Sequence, residues 1–596
     1  MISHPLGAHH DGSGLYVSNS APELEEVVQV RLRVNKPELP EHVSIRAVFD
    51  GEPKMITAHV SHETADHVWF TAELLIRNFT QNYRWLLTGG SYGYRWLNSL
   101  GLHVRDVSDA GDFRIVAFPA TPTWMSQSVA YQIFPDRFAS SGRKYEVPEY
   151  FVSREWGQHP EGRSRNTGRE YFGGDLWGIA EKLDYLEDLG IDLVYLTPIF
   201  PAHSTHRYDS QNFYEVDPLL GGNEALIHLV ESAHARGMKV VGDITLNHCG
   251  RHHEWFTSAL AGDSRTREFF TFDDRLEHGY ECWFNVPSLP KFNFHSESLR
   301  RKLLTDEDSI LRHWLKPPFN LDGWRVDVAN MAGRQGETDL THEIARIARQ
   351  VVRECGPDKI LIAEHFHDVG PDLTGDGWQG GMNYTGVQSP AWAWLSGEEF
   401  LTRGNPAVNR METVSAHEAV AAINDFSARM PWRSRIASWS LLDSHDTARV
   451  RSVVGSDERQ IAAAGLMFGL PGTPMIFMGD EYGAEGWWGE DSRTTMPWDD
   501  IEKLNPTTQQ AYRALINLRR TSSALAEGGL QWVAVSDDAI AFIRESVSEK
   551  LLFVITRNLT RLELPTWLGS GTTWQQLFGE FSLESTSVTS KVAGTS

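Results

Sequence analysis

The feature that most constrains this chain is a repeated alternation of short apolar runs with amphipathic helical segments across residues 124–525. Runs such as VAYQIF, IDLVYLTPIF and KILIAEHF lack the polar alternation of a half-exposed strand, which predicts strands buried on both faces of a parallel sheet. Eight βα units of this kind predict a closed (β/α)8 barrel over 124–525. The candidate strands are 129–134, 191–197, 238–244, 321–327, 359–364, 380–384, 438–443 and 474–478, with helices at 223–236, 298–315, 457–470 and 507–524.

The segments around this α/β core follow other patterns. Residues 1–118 contain short alternating strands, among them VVQVRLRV, ITAHV and VWFTAELLI, separated by Pro, Gly, Asp and Asn, which predicts an N-terminal β-sandwich. The aromatic stretch at about 249–294 has few helix signals and predicts a small inserted domain after the third strand. Strand alternation returns in WVAVS and LLFVITRN, which predicts a C-terminal β domain over 526–596.

Charge and cysteine content narrow the classes of partner and compartment. The formal net charge is -24, so we expect neither nucleic acid nor a membrane surface as a partner. No run of about 18 apolar residues occurs, and the N-terminus lacks the basic and apolar regions of a signal peptide. Three cysteines without a CxxC pair indicate neither a disulfide framework nor a structural zinc site. We expect a cytoplasmic protein that binds a neutral small molecule.

Polar clusters stand at four of the predicted strand ends. DITLNH ends the third strand, GWRVD the fourth, AEH the fifth and LLDSHD the seventh. The C-terminal ends of barrel strands carry the active site, so these clusters predict a catalytic centre. A single Asp at such a place is more often a turn former or a helix cap, and the prediction therefore depends on the four clusters together.

Two of the carboxyl groups suit the cleavage of a glycosidic bond, which needs one protonated and one ionised carboxyl. Arg325 precedes Asp327 by two residues and projects to the same side of the strand, so we expect it to hold Asp327 ionised as a nucleophile. Glu364 lies on a mostly apolar strand, where burial would keep it protonated as the acid. A retaining mechanism requires the two groups to lie about 5–5.5 Å apart.

The same clusters, in this order, resemble the four short regions that define the α-amylase superfamily of glycoside hydrolases, family 13. The resemblance implies that Asp327 is the nucleophile, Glu364 the general acid/base, and Asp446 the carboxylate that grips ring hydroxyls and steadies the transition state. It further implies a set of substrate-binding residues around the sugar, with Tyr208 as a stacking platform. These are Tyr208, His248, Arg325 and His445.

The sandwich before the barrel and PKFNF, which is similar to the MPKLN signature, resemble the neopullulanase and cyclomaltodextrinase branch of that superfamily. The branch implies hydrolysis of α-1,4 and in some members α-1,6 bonds in small or cyclic maltooligosaccharides, including cyclic maltosyl-maltose, and a homodimer. Open alternatives are a transglycosylase with the same covalent intermediate, a maltodextrin glucosidase, a catalytically silent binding protein and a metallohydrolase.

The chain also departs from the branch at three places. The segment ASSGRKYEVP lacks the Asn and Asp cluster that many branch members use for calcium beside the GGD motif, so we predict no definite cofactor and leave calcium open. Asp175 in that motif could instead cap the helix that follows it. Met331 stands where an acidic residue is common, and Phe366 where Trp is common, which implies altered acceptor-side preferences.

Overall fold

The computed structural model describes residues 7–402, 412–501, 503–558, 560–569, 574–579, 581–584 and 587–590. Its centre is a cylinder of eight parallel strands, numbered here first to eighth in chain order, and each pairs with its sequence neighbours around the barrel. A parallel bridge between Met382 and Trp439 joins the sixth and seventh strands and closes the cylinder. The predicted barrel is confirmed. Its strands are Ala130–Ile133, Leu193–Leu196, Lys239–Thr245, Gly323–Asp327, Ile360–Ala363, Gly380–Gly381, Trp439–Leu441 and Thr473–Phe477.

Alternate residues of these strands pack into two different cores. On the second strand, Val194 and Leu196 join the large core between the strands and the surrounding helices. Leu193 and Tyr195 instead join a smaller core inside the cylinder. Both sets are fully buried, which explains why the sequence shows continuous apolar runs rather than alternation.

Helices cover the outside of the cylinder. The longer ones are Gly222–Ala235, Thr341–Cys355, Ser389–Leu395, Ala416–Ser427, Asp457–Gly469 and Pro506–Thr521. The prediction of one helix at 298–315 is wrong, because the segment forms Glu297–Arg300, a π-helical turn Arg301–Thr305 and a separate helix Ile310–His313. The helical conformation ends at Asp306, whose backbone is extended. The Ser309 hydroxyl then donates to the Leu304 carbonyl at 2.9 Å and closes the turn.

The N-terminal region is a sandwich of two antiparallel sheets around one apolar core. The predicted strand ITAHV is in fact two strands, because the chain passes from one sheet to the other at Ala58. The first sheet contains Ala8–His9, Val27–Asn35, His67–Leu75 and His59–Glu63. The second contains Glu52–Thr57, His42–Phe49, Thr80–Gly89, Gly93–Asn98, Gly101–His103 and Phe113–Val116.

The two remaining regions also have the predicted character. The excursion after the third strand packs aromatic side chains together, although it also contains two unpredicted short helices, Glu254–Leu260 and Ser264–Arg267. After the barrel, Gly529–Ser536, Ala539–Glu545 and Lys550–Thr556 form one antiparallel sheet, and Arg561–Glu563, Phe581–Glu584 and Ser587–Ser590 form another. The boundaries between the domains stay predictions.

The first and last regions of the chain contact each other directly. Arg33 of the sandwich is buried, and its guanidinium lies 2.7 Å from a carboxylate oxygen of Glu545 and donates to the Gln531 side chain at 2.7 Å. The accessory domains are therefore joined by an ion pair away from the barrel strands.

Two further findings concern the chain as a whole. Within the described ranges, no helix has the length and apolar character needed to cross a bilayer. Cys249, Cys282 and Cys355 are free thiols. The cytoplasmic location stays a prediction.

Candidate active site

The seven residues predicted from the sequence lie at the C-terminal end of the barrel. Two of them belong to the fourth strand, and the others to the loops that follow the second, third, fifth and seventh strands. All of these strands are parallel, so their loops meet at one end of the cylinder. The residues are Tyr208, His248, Arg325, Asp327, Glu364, His445 and Asp446.

Arg325 is the centre of the site. Its buried guanidinium donates from Nη1 to Asp243 at 3.0 Å and to Asp327 Oδ1 at 3.1 Å. Its Nη2 lies 3.1 Å from Glu364 Oε1. One planar cation therefore contacts both predicted catalytic carboxyls and a third carboxylate, a geometry that the guanidinium fork can satisfy and an ammonium cannot.

The Glu364 carboxyl has a second support. Its Oε2 accepts a hydrogen bond of 2.6 Å from the backbone N–H of Val328, which directly follows Asp327. Val328 adopts a left-handed backbone conformation with φ 37°, which is unusual for a β-branched residue. The strained turn at the end of the fourth strand thus points the Val328 N–H at the Glu364 carboxyl, which follows the fifth strand.

Burial and mutual repulsion govern how the two carboxyls titrate. Burial, followed by the nearby Glu364, raises the pKa of Asp327 well above its usual range, and burial also raises the pKa of Glu364. Arg325 lowers both pKa values, as expected for Asp327, but burial outweighs it. Two such groups titrate as a pair and favour one shared proton. The Asp327 side chain is 11% exposed against 3% for Glu364, which favours the negative charge on Asp327.

A hydrogen-bonded network holds Tyr208 and His445 as a stacked pair. The rings lie 5.5 Å apart at an interplanar angle of 10°, and the Tyr208 hydroxyl donates to Asp243 Oδ2 at 2.9 Å. The Gln132 amide lies 2.9 Å from His445 Nδ1, which places the ring proton on Nε2, 2.8 Å from the Tyr208 hydroxyl. Burial lowers the pKa of His445 to about 3, so the ring is neutral.

Asp446 is held ionised by two donors. Arg493 Nη2 donates to one carboxylate oxygen at 3.2 Å, and His445 Nε2 lies 3.2 Å from the other. Burial acts to raise the pKa of Asp446, but His445, Arg493 and Arg325 together hold it below its usual value. Its side chain is 30% exposed, so this carboxylate can still accept hydroxyl groups from a ligand.

His248 lies next to this cluster and stacks on an aromatic side chain of the inserted domain. Its ring is 5.7 Å from that of Trp283, and Nδ1 lies 3.0 Å from the Asn247 side-chain amide. Burial lowers the pKa of His248 to about 3. Because Nδ1 accepts from the Asn247 amide, the ring proton lies on Nε2, which is buried, and the Tyr208 backbone interacts with the ring.

Aromatic and thioether groups line the approach to the carboxyls. Phe366 is 51% exposed and stacks on Tyr384 with ring centres 4.1 Å apart. Met331 Sδ accepts a hydrogen bond of 3.2 Å from the Trp283 indole, so the position where the branch carries an acid is apolar here. The predicted departures at Met331 and Phe366 therefore lie beside the predicted catalytic residues.

The residues of the GGD motif do not fit a calcium ion. Asp175 Oδ1 accepts from the Gly178 N–H at 2.6 Å and caps the helix Leu176–Glu181, as one of the two predictions stated. Asp175 Oδ2 accepts from the hydroxyls of Ser141 at 2.6 Å and Tyr145 at 3.1 Å. These donors direct hydrogens to the oxygens that a cation would need, so the motif acts through hydrogen bonds.

Several contributors to the site were not identified from the sequence. Asp243 was visible in DITLNH, but only the structure places it against Arg325, with Tyr195 donating to it at 2.5 Å. Gln132, on the first strand, sets the His445 tautomer. Arg493 lies in the loop after the eighth strand, where no spacing or neighbouring motif distinguishes it.

Comparison with known proteins supports the same assignment. The model of the alpha amylase catalytic domain matches residues 132–533. A cyclomaltodextrinase from Geobacillus thermopakistaniensis is 32% identical over 471 residues, which cover 77% of this chain and 74% of the relative. Neopullulanase 2 from Thermoactinomyces vulgaris is 29% identical and covers 92% of this chain and 90% of its own length.

A solved structure agrees with this relationship. The cyclic α-maltosyl-(1→6)-maltose hydrolase from Arthrobacter globiformis, in complex with cyclic α-maltosyl-(1→6)-maltose, has 30% identity and a TM-score of 0.65, covering 75% of this chain and 94% of its own. The chain therefore belongs to the α-amylase family of glycoside hydrolases, in the branch that includes cyclomaltodextrinases and neopullulanases.

Proposed function

We propose that this glycoside hydrolase cleaves α-1,4 glucosidic bonds, and α-1,6 bonds as a second linkage, in small or cyclic maltooligosaccharides with retention of anomeric configuration. The observation that carries the proposal is the contact of one guanidinium, that of Arg325, with both Asp327 and Glu364. A common cation restricts the two carboxyls to the same small volume. This arrangement suits direct attack by one carboxylate better than a wider site with an intervening water.

In the first step the ionised Asp327 attacks the anomeric carbon while the Glu364 carboxyl gives its proton to the glycosidic oxygen. The bond to the leaving sugar breaks and a glycosyl–Asp327 ester forms. In the second step Glu364, now ionised, takes a proton from water, and the resulting oxygen nucleophile displaces Asp327. The carboxyl pair therefore carries one proton at the start of the cycle and one at its end.

The remaining residues act on the sugar without forming a bond to it. Tyr208, held in place by its stacking on the buried His445, offers a flat face to the glucosyl unit, and the exposed carboxylate of Asp446 accepts its hydroxyls. His248, stacked on Trp283 of the inserted domain, would bound the same sugar site. Hydrogen bonds to the sugar hydroxyls become stronger as the oxocarbenium-like transition state forms. They therefore lower the activation barrier and do more than bind the substrate.

Support for small or cyclic glucans comes from the named relatives, which are a cyclomaltodextrinase, a neopullulanase and a hydrolase of cyclic maltosyl-maltose. The aromatic rim at Trp283 and Phe366 suits the apolar faces of successive glucose rings. Transglycosylation is a second candidate, because Met331 and Phe366 make the acceptor side apolar and so disfavour water there. A maltodextrin glucosidase uses the same residues on linear substrates.

A panel of cyclic and linear glucans with product analysis by anomeric proton NMR tests the proposal. We expect first-formed α-anomers, and we expect reducing ends to exceed elongated products. Asp327→Asn and Glu364→Gln should each lower turnover by several orders of magnitude. β-Anomeric first products, or near-native turnover in either variant, would reject the mechanism, whereas elongated products in excess from maltotriose would select the transglycosylase.

We also propose a homodimer formed through the N-terminal sandwich. Support comes from apolar side chains that the sandwich leaves exposed, including Met55 at 52% and Val60 at 49%, on consecutive strands that belong to the two different sheets. Sedimentation velocity at micromolar concentration tests this state. A monomer alone would contradict it.

A further inference from the structure

A cavity outside the catalytic cluster lies where the N-terminal sandwich, the barrel and the C-terminal domain meet. Its volume is about 160 Å³. The sandwich contributes Asp11 and its neighbours, a short helix on the outside of the barrel contributes Trp432 and Arg435, and the C-terminal domain contributes Trp532 and Trp567. Three tryptophans and a guanidinium thus share one partly open space.

The Arg435 side chain has no hydrogen bond or ion pair to any residue that the structure describes, and its guanidinium carbon lies 5.5 Å from the centre of the Trp432 ring. Burial lowers the pKa of Arg435 to about 10, so it remains charged at neutral pH. Two fully buried arginines nearby differ from this partly exposed side chain. Arg519 and Arg544 donate to three and four backbone carbonyls, respectively.

A second donor in the cavity is also without a partner. Trp432 is 7% exposed, and its indole N–H is buried without a hydrogen bond. The indole of Trp532, by contrast, donates to Asn424 at 2.8 Å. An unsatisfied buried donor costs about 1–3 kcal/mol, so the Trp432 N–H beside the half-buried Arg435 guanidinium indicates an acceptor that the protein itself does not supply.

The nearest carboxylate is already engaged. Asp11 accepts from the backbone N–H of Ser13 and of Leu530, each at 2.9 Å, and lies 3.5 Å from the His9 ring. Arg435 and Arg519 both lower the pKa of the buried Arg544, and Asp11, which lines the cavity with Arg435, opposes them weakly. The cavity is therefore locally cationic in a chain whose net charge is -24.

We propose that this cavity binds a small sugar phosphate, whose oxyanion is held by the Arg435 guanidinium and the Trp432 indole N–H while its sugar ring packs on Trp532 and Trp567. A guanidinium suits the oxygen geometry of a phosphate, and indole faces suit the C–H faces of a sugar. Because the three domains meet there, the bound ligand would stabilise their docked arrangement. The site is separate from the glycosidase proposal and does not depend on it.

Calorimetric titration of the full-length chain with glucose 1-phosphate, inorganic phosphate and glucose tests this site. We expect glucose 1-phosphate to bind with a dissociation constant at or below the millimolar range, phosphate to bind several-fold more weakly, and glucose to give no binding through this site. Arg435→Gln should weaken glucose 1-phosphate at least about 10-fold. The exposed Arg265 supplies the charge-matched control, and Arg265→Gln should leave the affinity unchanged.

Two further variants keep the test decisive. Arg435→Lys retains the charge without the fork, so it decides the result if Arg435→Gln does not fold, and it should weaken binding several-fold. Asp327→Asn should leave binding unchanged, which separates this cavity from the catalytic cluster. The proposal would be overturned if glucose 1-phosphate did not bind at about 10 mM. It would also be overturned by wild-type affinity in both Arg435 variants, or by loss of binding in Asp327→Asn. Equal affinities for phosphate and glucose 1-phosphate would reject the sugar contacts.

Discussion

Replacement of Arg325 by lysine is the most direct test of the catalytic geometry. Arg325 contacts Asp243, Asp327 and Glu364 at 3.0, 3.1 and 3.1 Å. An ammonium at the same place keeps the charge but can satisfy about one of the three carboxylates. Two of these charged contacts are lost, and each is worth about 1.5–3 kcal/mol on the scale of a charged hydrogen bond. If these contacts position the reacting groups, the loss of about 3–6 kcal/mol corresponds to a decrease of about 10²- to 10⁴-fold in kcat/KM.

The matched control is Arg493→Lys, because Arg493 contacts a single carboxylate, Asp446, at 3.2 Å. We expect at most about a 10-fold loss for this variant, since an ammonium can still reach one carboxylate. Initial rates on a chromogenic maltoside measure both variants, and circular dichroism with thermal unfolding checks that each is folded. Less than a 10-fold loss in folded Arg325→Lys, or equal losses in the two variants, would refute the idea that one guanidinium organises the carboxyl pair.

Three other predictions follow from the same contacts. In Glu364→Gln the removed carboxyl has a pKa that burial raises in the folded state, so its contribution to stability is present below the unfolded pKa of about 4.3 and is lost as pH rises. This variant should therefore unfold at a higher temperature than wild type at pH 8, with a smaller difference at pH 5; an equal difference at both pH values in thermal scans would contradict the burial argument. Phe366→Ala removes an aromatic contact worth about 0.5–1.5 kcal/mol, so KM for linear maltooligosaccharides should rise about 2- to 10-fold, whereas an unchanged KM would show that the ring does not contact substrate. Treatment with EDTA should leave the melting temperature unchanged because hydroxyl donors occupy Asp175, and Tyr145→Phe should lower stability by about 1 kcal/mol; a chelator-induced decrease restored by calcium would show that the donors do not replace a cation.

The sequence carried most of the information about the barrel because strands buried on both faces must be apolar throughout. All eight predicted strands are present, although the sixth is reduced to Gly380–Gly381. The helix at 298–315 was wrong for a physical reason: its apolar spacing continues across a turn that Asp306 and Ser309 close with hydrogen bonds. The spacing of apolar residues shows which side chains face the core, but it does not show where the hydrogen bonds of a helix are interrupted.

The site was predictable where residues lie within a strand-end motif and not where they come from distant loops. Arg325 and Asp327 are two residues apart, so their common direction follows from the strand period. Gln132 and Arg493 reach the same network from positions separated by 361 residues in sequence (493 minus 132), and no local pattern connects them. The pKa of Asp327 also required coordinates, because the balance of burial against Arg325 depends on the packing of the whole strand end.

The ion pair between Arg33 and Glu545 has a consequence for experiments that shorten the chain. Removal of the C-terminal domain leaves the buried Arg33 without its carboxylate, and breaking a buried pair costs about 3–5 kcal/mol, whereas removal of the sandwich leaves Glu545 paired with Lys550 at 3.0 Å but newly exposed. Lost activity in a truncated protein would then report misfolding instead of a role in recognition. Point substitutions on an intact polypeptide are the cleaner way to learn what the flanking modules contribute.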